Sequence, residues 1–284
     1  RLGLVVIGGE GAIVLGGVAC GALAGLLGGA PGPLGVALMA LAALYLGRAR
    51  ASLGHLEQAE AMLLNAYMYA RSSGNAPLAG GALVYLADIA LHTGQLERAA
   101  LRLREAALTF EDAQAPGSPW RLEMLRVAAN LAEQSGQIAV AQKVRKSALE
   151  AVSGGYEERA TVVRPLLLEY ARTLIGLGNL EDAEAAIEEA TALPTQDGYS
   201  EVLEGIARAE LAAARGDTGY AESTLQSRFP TACKLENVFL VRLAGTALAE
   251  FHESAGAPER AAEVEEAMHE AIEEIERLGQ VSER

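Results

Sequence analysis

Through most of this chain apolar positions recur at helical spacing, and the runs are cut at regular intervals by a glycine. One such unit is "PLAGGALVYLADIALHT", Pro77–Thr93, then Gly94, then "QLERAALRLREAALTF", Gln95–Phe110. Each half has the length of four or five helical turns. A glycine between two such runs supplies the left-handed conformation that closes the first helix, and a second helix beginning one or two residues later completes a hairpin.

The unit recurs. The phrases "LGHLEQAE", "TGQLERAA", "SGQIAVAQ", "LGNLEDAE", "RGDTGYAE" and "AGAPERAA" carry Gly54, Gly94, Gly136, Gly178, Gly216 and Gly256, spaced 38 to 42 apart. Five residues after each glycine stands an alanine: Ala59, Ala99, Ala141, Ala183, Ala221 and Ala261. Seven residues before it stands Gly47, Ala87, Ala129, Ala171, Ala209 or Ala249. Twelve after it come Ala66, Ala106, Ala148 and Ala190, and the rule lapses at Arg228 and Met268. Small residues at fixed offsets let two helices and the next pair approach closely, ridge into groove. A lone hairpin cannot bury its apolar face, so the hairpins are predicted to stack into an all-α solenoid of about six repeats.

Composition agrees with that reading. Hydrophobic residues make up 51% of the 284, yet aromatics only 5%, so the apolar content is largely Ala and Leu, a helical mixture rather than a β-sandwich one. The formal net charge of −14 argues against duplex nucleic acid as a partner and favours a basic peptide or a cationic protein face. Cys20 and Cys233 are too few and too far apart for a disulfide framework or a metal cluster, which fits a reducing, cytoplasmic setting.

These offsets resemble the tetratricopeptide repeat (TPR), a helix-turn-helix unit with small residues at fixed positions. The resemblance spans roughly residues 33–279, leaving a leader at 1–32 and a tail at 280–284. The period is the departure, since the common repeat has about 34 residues. Longer repeats of this kind are similar to those in sensor regions of large bacterial transcription activators and signalling ATPases. The resemblance implies a right-handed superhelix that binds proteins, peptides or small inducers as a regulatory module, without catalysis. A membrane-tethered assembly scaffold and a structural spacer are the rival expectations.

The leader contains "VVIGGEGAIVLGG", Val5–Gly17. It is not a dinucleotide loop: Val14 stands where the third glycine belongs, and no βαβ alternation follows. Two readings stay open. From Gly11 to Gly47 no side chain is charged, and Ala12–Ala30 has about the length of a bilayer span, with Gly17, Gly21, Gly25 and Gly29 striped four apart. Alternatively, Gly17 lies 37 before Gly54 and Ala22 lies five after Gly17, nearly the repeat register, so the segment reads as an atypical leading hairpin.

Catalytic chemistry is not indicated. His55, His92, His252 and His269 lack metal-ligand spacing, with His55 and His92 read as solvated residues beside turns, and Cys233 lacks a histidine partner. No cofactor is expected. Trp120 reads as a hydrophobic lid over its helix or as a ligand platform. The Glu-rich C-terminal stretch reads as the solvated face of a capping pair, with Glu273 supporting Arg277. The remaining signal is a polar row. Six before each turn glycine, beside the small residue, stand Arg48, Asp88, Asn130, Arg172, Glu210 and Glu250, with Arg126 and Glu133 on the Asn130 face. In TPR-like arrays the first helices line the concave face, so these eight residues are the candidate contacts for a protein or peptide. Their signs suggest an acidic partner group opposite repeats three and four and a basic one opposite five and six. Arg126 and Asn130 also resemble half of a clamp for a peptide's C-terminal carboxylate. A merely solvated row is the competing reading.

Overall fold

The computed structural model describes residues 32–113, 119–152, 160–194 and 197–281. Among the described residues there are twelve helices and no strand. They are α1 (Pro33–Ser52), α2 (Leu56–Ser72), α3 (Ala76–His92), α4 (Leu96–Asp112), α5 (Pro119–Gln134) and α6 (Ile138–Val152). Then come α7 (Ala160–Gly176), α8 (Leu180–Ala192), α9 (Gly198–Ala214), α10 (Thr218–Lys234), α11 (Val238–Ser254) and α12 (Pro258–Val281). Consecutive helices pack as hairpins, the arrangement of an α-solenoid. The leader reading falls on residues 1–31, which lie outside the described residues. Helix α12 runs to Val281, past residue 279 and into the stretch expected to be a tail.

All six repeat glycines adopt the left-handed conformation, with φ between 72° and 86°. The local hydrogen bonds show why. In the second repeat the Gly94 amide donates to the Leu91 carbonyl (3.0 Å) and the Gln95 amide to the Ala90 carbonyl (2.8 Å). This pair of hydrogen bonds satisfies carbonyls left open at the helix end, and it forms when the closing residue takes positive φ. Gly74 closes α2 in the same way, with the Asn75 amide on the Ala70 carbonyl (2.8 Å). Asn75, Asp197, Asp217 and Asn237 then cap the helices that follow, each side chain accepting from an amide in the first turn.

The offset residues are where helices touch. Ala59, Ala99, Ala141, Ala183 and Ala221 are fully buried, as are Ala87, Ala129, Ala171 and Ala209 seven before the glycine. Gly47 stands in that second row because a Cβ there would lie 2.8 Å from Leu63. The lapses in the third row have a matching compensation. Where Arg228 and Met268 replace alanine, the facing first helix carries Gly205 and Gly245. A Cβ on Gly245 would sit 2.7 Å from the Met268 sulfur, and one on Gly205 would fall within the Arg228 side chain. The equivalent position is Leu83, Leu125 and Leu167 in repeats two to four, opposite the alanines. In repeats five and six the large residue on the second helix is thus met by a glycine on the first.

The chain divides into two compact units, residues up to Leu131 and residues from Ala132. In the first, α3 is the buried centre, with thirteen buried residues from Leu78 to Leu91. In the second, Leu167, Leu168, Leu174, Ile187, Leu203, Ile206 and Leu240 form the core. Helix α12 packs onto it with Ala261, Ile272 and Ile275 inward and a charged outer face. On that face Arg277 is supported by Glu274 rather than Glu273, which instead faces His269 at 3.1 Å.

Two outcomes test this packing. Ala183→Leu destabilises by about 1–3 kcal/mol through overpacking, read by chemical denaturation. Gly205→Ala fails to deliver the ~1 kcal/mol that alanine normally gains over glycine in a helix, whereas Gly205→Ala with Arg228→Ala melts higher than the single variant. A single Gly205→Ala as stable as the double would show that the contact is slack.

Candidate functional site

In the second unit, the residues six before successive turn glycines meet each other. Arg172 on α7 grips Glu210 on α9: Nε donates to Oε1 (3.0 Å) and Oε2 (2.8 Å), and Nη2 donates to Oε1 (2.7 Å). Burial alone would lower the guanidinium pKa, but the charge and hydrogen bonds of Glu210, with Glu133 and Glu169 nearby, hold it above the ordinary value. Glu250, the next residue in the row, carries no such pair. Burial, then the charge of Glu210, push its carboxyl above the usual range, while Arg172 pulls it back.

Beneath this row lies a polar group inside the helix layer. Arg145 on α6 is 2% exposed, and it donates Nη1 and Nη2 to the two carboxylate oxygens of Glu133 (3.2 and 2.9 Å). Its Nη1 also bonds the Thr173 hydroxyl, which lies 3.1 Å from the Glu169 carbonyl, and Nε is 4.0 Å from the Glu169 carboxylate. Glu133, Arg145, Glu169, Arg172, Glu210 and Glu250 line a cavity of about 300 Å³, with Ile175 and the exposed Gly176 also bordering it.

The first unit builds a different cluster. Arg126 is held by Glu123 (3.1 and 2.8 Å) and reaches Asp88 at 3.3 Å, while the Arg48 guanidinium lies 5.5 Å from the Tyr85 ring centre. Burial would raise the Glu123 carboxyl, but the Arg126 charge and hydrogen bond, helped by Arg48, hold it low. Burial pushes the Tyr85 hydroxyl well up, against the pull of Arg48. Trp120 contacts Tyr45 and Tyr85, ring centres 6.1 and 5.9 Å away, and a Cβ on Gly81 would meet it at 2.9 Å.

Of the eight candidates, Glu133, Arg172, Glu210 and Glu250 share the second-unit cavity, and Arg48, Asp88 and Arg126 share the first-unit cluster. Asn130 is half-buried on α5. The expected free alternation of charge is not what the structure shows. Arg126 and Arg172 are neutralised by carboxylates, so neither offers an open cation to an acidic partner, and the carboxylate clamp loses its arginine. The histidine reading also changes. His92 turns back onto its own helix, Nδ1 2.8 Å from the Asp88 carbonyl, and the half-buried His55 has its Nε2 buried. His252 is buried beside Phe251. Burial raises the Cys233 thiol, the wrong direction for a nucleophile. Among the described residues no His, Cys, Asp and Glu group could hold a metal ion, and no helix is long and apolar enough to cross a membrane.

Arg145, Glu169 and Thr173 escaped the reading of the row, although a signal exists. Nine after the turn glycine stand Leu63, Leu103, Ile187 and Leu225, all buried, with Arg145 as the one polar intruder before the terminal repeat.

Comparison with known proteins bears on the fold. No protein-family model and no curated protein sequence matches the chain. Among solved structures it is similar to BtubC (BKLC) from P. vanneervenii, with a TM-score of 0.58 at 16% identity, over 79% of this chain and 91% of that one. The likeness is one of helical architecture.

Arg145→Leu supplies the residue type of the other repeats but strips Glu133 and Glu169 of their cation, so it costs about 3 kcal/mol or more. Adding Glu169→Ala and Thr173→Leu recovers most of that loss; a single variant as stable as the parent would show the polar group to be inert in denaturation. Glu250 makes the opposite contribution to a paired carboxylate. Its raised pKa means the fold gains protons as pH falls between the unfolded value, about 4.3, and the folded one, so stability from this group falls as pH rises through that window. Glu250→Gln therefore melts no lower than the parent at neutral pH and shows a flatter pH dependence across the window.

Proposed function

We propose that this chain is a TPR-like module that binds protein and has no catalysis of its own, and that the second-unit cavity receives a basic segment of its partner. The observation that carries this reading is the charge of the cavity. Glu133, Glu169, Glu210 and Glu250 face it against Arg145 and Arg172 alone. Both guanidiniums are already engaged by carboxylates, so the surplus is negative and Glu250 is its open end. A lysine or arginine placed there would relieve the repulsion that Glu210 imposes on Glu250. The overall charge of −14 steers the same class of partner. Gly176 at the edge leaves room for a peptide backbone to approach.

A structural spacer is the second reading, favoured by ion pairs that stitch successive repeats: Glu60 with Arg98, Asp88 with Arg126, Arg172 with Glu210, Glu184 with Arg215 and Glu222 with Arg260. Titration calorimetry with short capped peptides carrying Lys–Arg pairs, against Glu–Asp counterparts, separates the two. Binding restricted to the basic set, weakened about tenfold by Glu250→Gln with no loss of thermal stability, is the expected result. Arg172→Ala is a poor probe, since it also removes a link between repeats. Equal binding of both sets, or indifference to Glu250→Gln, would remove the cavity from consideration. Absence of any binding, with Arg172→Ala lowering Tm, would favour the spacer.

A further inference from the structure

Three ion pairs join first helices of successive repeats, and arginine is the cation in each: Asp88 with Arg126, Arg164 with Glu204, and Arg172 with Glu210. In the last pair both carboxylate oxygens of Glu210 accept from Arg172, Oε1 from two nitrogens. One first helix further on, Glu250 holds the same place in its repeat, six before the turn glycine. Among the described residues no hydrogen bond or ion pair reaches its side chain, although it borders the same cavity as Arg172 and Glu210. That cavity is more than a group of carboxylates. The buried Arg145, bonded to Glu133, is built into its wall, and Ile175 gives it an apolar stretch.

We propose that the cavity is a seat for one arginine side chain of the partner, its guanidinium forked onto Glu250 as that of Arg172 is forked onto Glu210. The inference rests on the basic-segment reading above and narrows it from cations in general to one side chain. Acceptor geometry favours it. Arg172 already occupies both oxygens of Glu210, so an incoming cation draws its main contact from Glu250. Two coplanar carboxylate oxygens match a guanidinium fork, whereas an ammonium engages them only as a point charge. Desolvation favours it too. Burial, ahead of the charge of Glu210, lifts the Glu250 carboxyl above its usual range, so the seat is partly shielded from water. A weakly hydrated guanidinium gives up less on entering such a place than a strongly hydrated ammonium does. The volume, about 300 Å³, is at the small end of ligand sites and takes a single long side chain rather than a helix. Ile175 offers apolar surface to the methylenes of the stem. Beside it nothing lies within 4 Å of a Cβ built on Gly176, which keeps the entrance open.

Matched capped glycine–serine peptides with one central arginine, lysine, citrulline or asymmetric dimethylarginine are titrated into the full chain by calorimetry. The arginine peptide is expected to bind about tenfold more tightly than the lysine peptide. Citrulline, which keeps the shape and loses the charge, should not bind. Dimethylation keeps the charge but blocks part of the fork, so it should weaken binding by about threefold or more, a readout that needs no protein variant. Glu250→Gln, with an unchanged circular dichroism spectrum, should bring the arginine peptide down to the affinity of the lysine peptide or below. Equal affinity for arginine and lysine, or for arginine and its dimethylated form, would overturn the arginine seat and leave a general basic-segment site standing. An arginine preference that survives Glu250→Gln would overturn the seat as well, by placing that preference elsewhere on the chain. Failure of both cationic peptides to bind the parent would overturn the seat and the basic-segment reading together.

Discussion

Everything in this protein depends on how closely two helix backbones come together at one contact. The alanine five after the turn glycine and the small residue seven before it remove the side chains that would hold the helices apart. Once the backbones are that close, dispersion between many atoms replaces the few large aromatic contacts the chain lacks. The tolerance is narrow. Where a large residue enters the second helix, at Arg228 or Met268, the first helix gives up its leucine for Gly205 or Gly245. Such exchanges keep the spacing fixed while composition varies.

The same spacing explains why a polar row along the first helices is paired rather than free. When equivalent positions of successive repeats are brought side by side, an arginine in one and a carboxylate in the next fall within hydrogen-bond reach, as Arg172 and Glu210 do. Such a pair offsets part of its own desolvation through several hydrogen bonds. Within the row Arg126 and Arg172 are both held by carboxylates, whereas burial and the charge of Glu210 push the Glu250 carboxyl above its usual range.

The buried Arg145 shows the other side of that balance. A guanidinium at a position that its counterparts fill with leucine or isoleucine must be surrounded by acceptors, and α5 and α7 supply them as Glu133, Glu169 and Thr173. The group ties three helices together through directional bonds, where an aliphatic core would tie them through volume alone.

The sequence by itself determined the hairpins, their turns and their contact points. These rest on local rules, glycine at positive φ and small residues at helical offsets, that leave a mark every 38 to 42 residues. It also placed the polar row on the correct helices, and Arg145 was legible as a break in an apolar row. Tertiary structure alone decided which charges meet. Arg172 and Glu210 are 38 residues apart, and Arg145 and Thr173 are 28 apart. No local pattern says that an arginine will be spent on a neighbouring repeat rather than left for a partner. That outcome depends on the angle at which one hairpin stacks on the next, which side-chain packing across the whole contact sets.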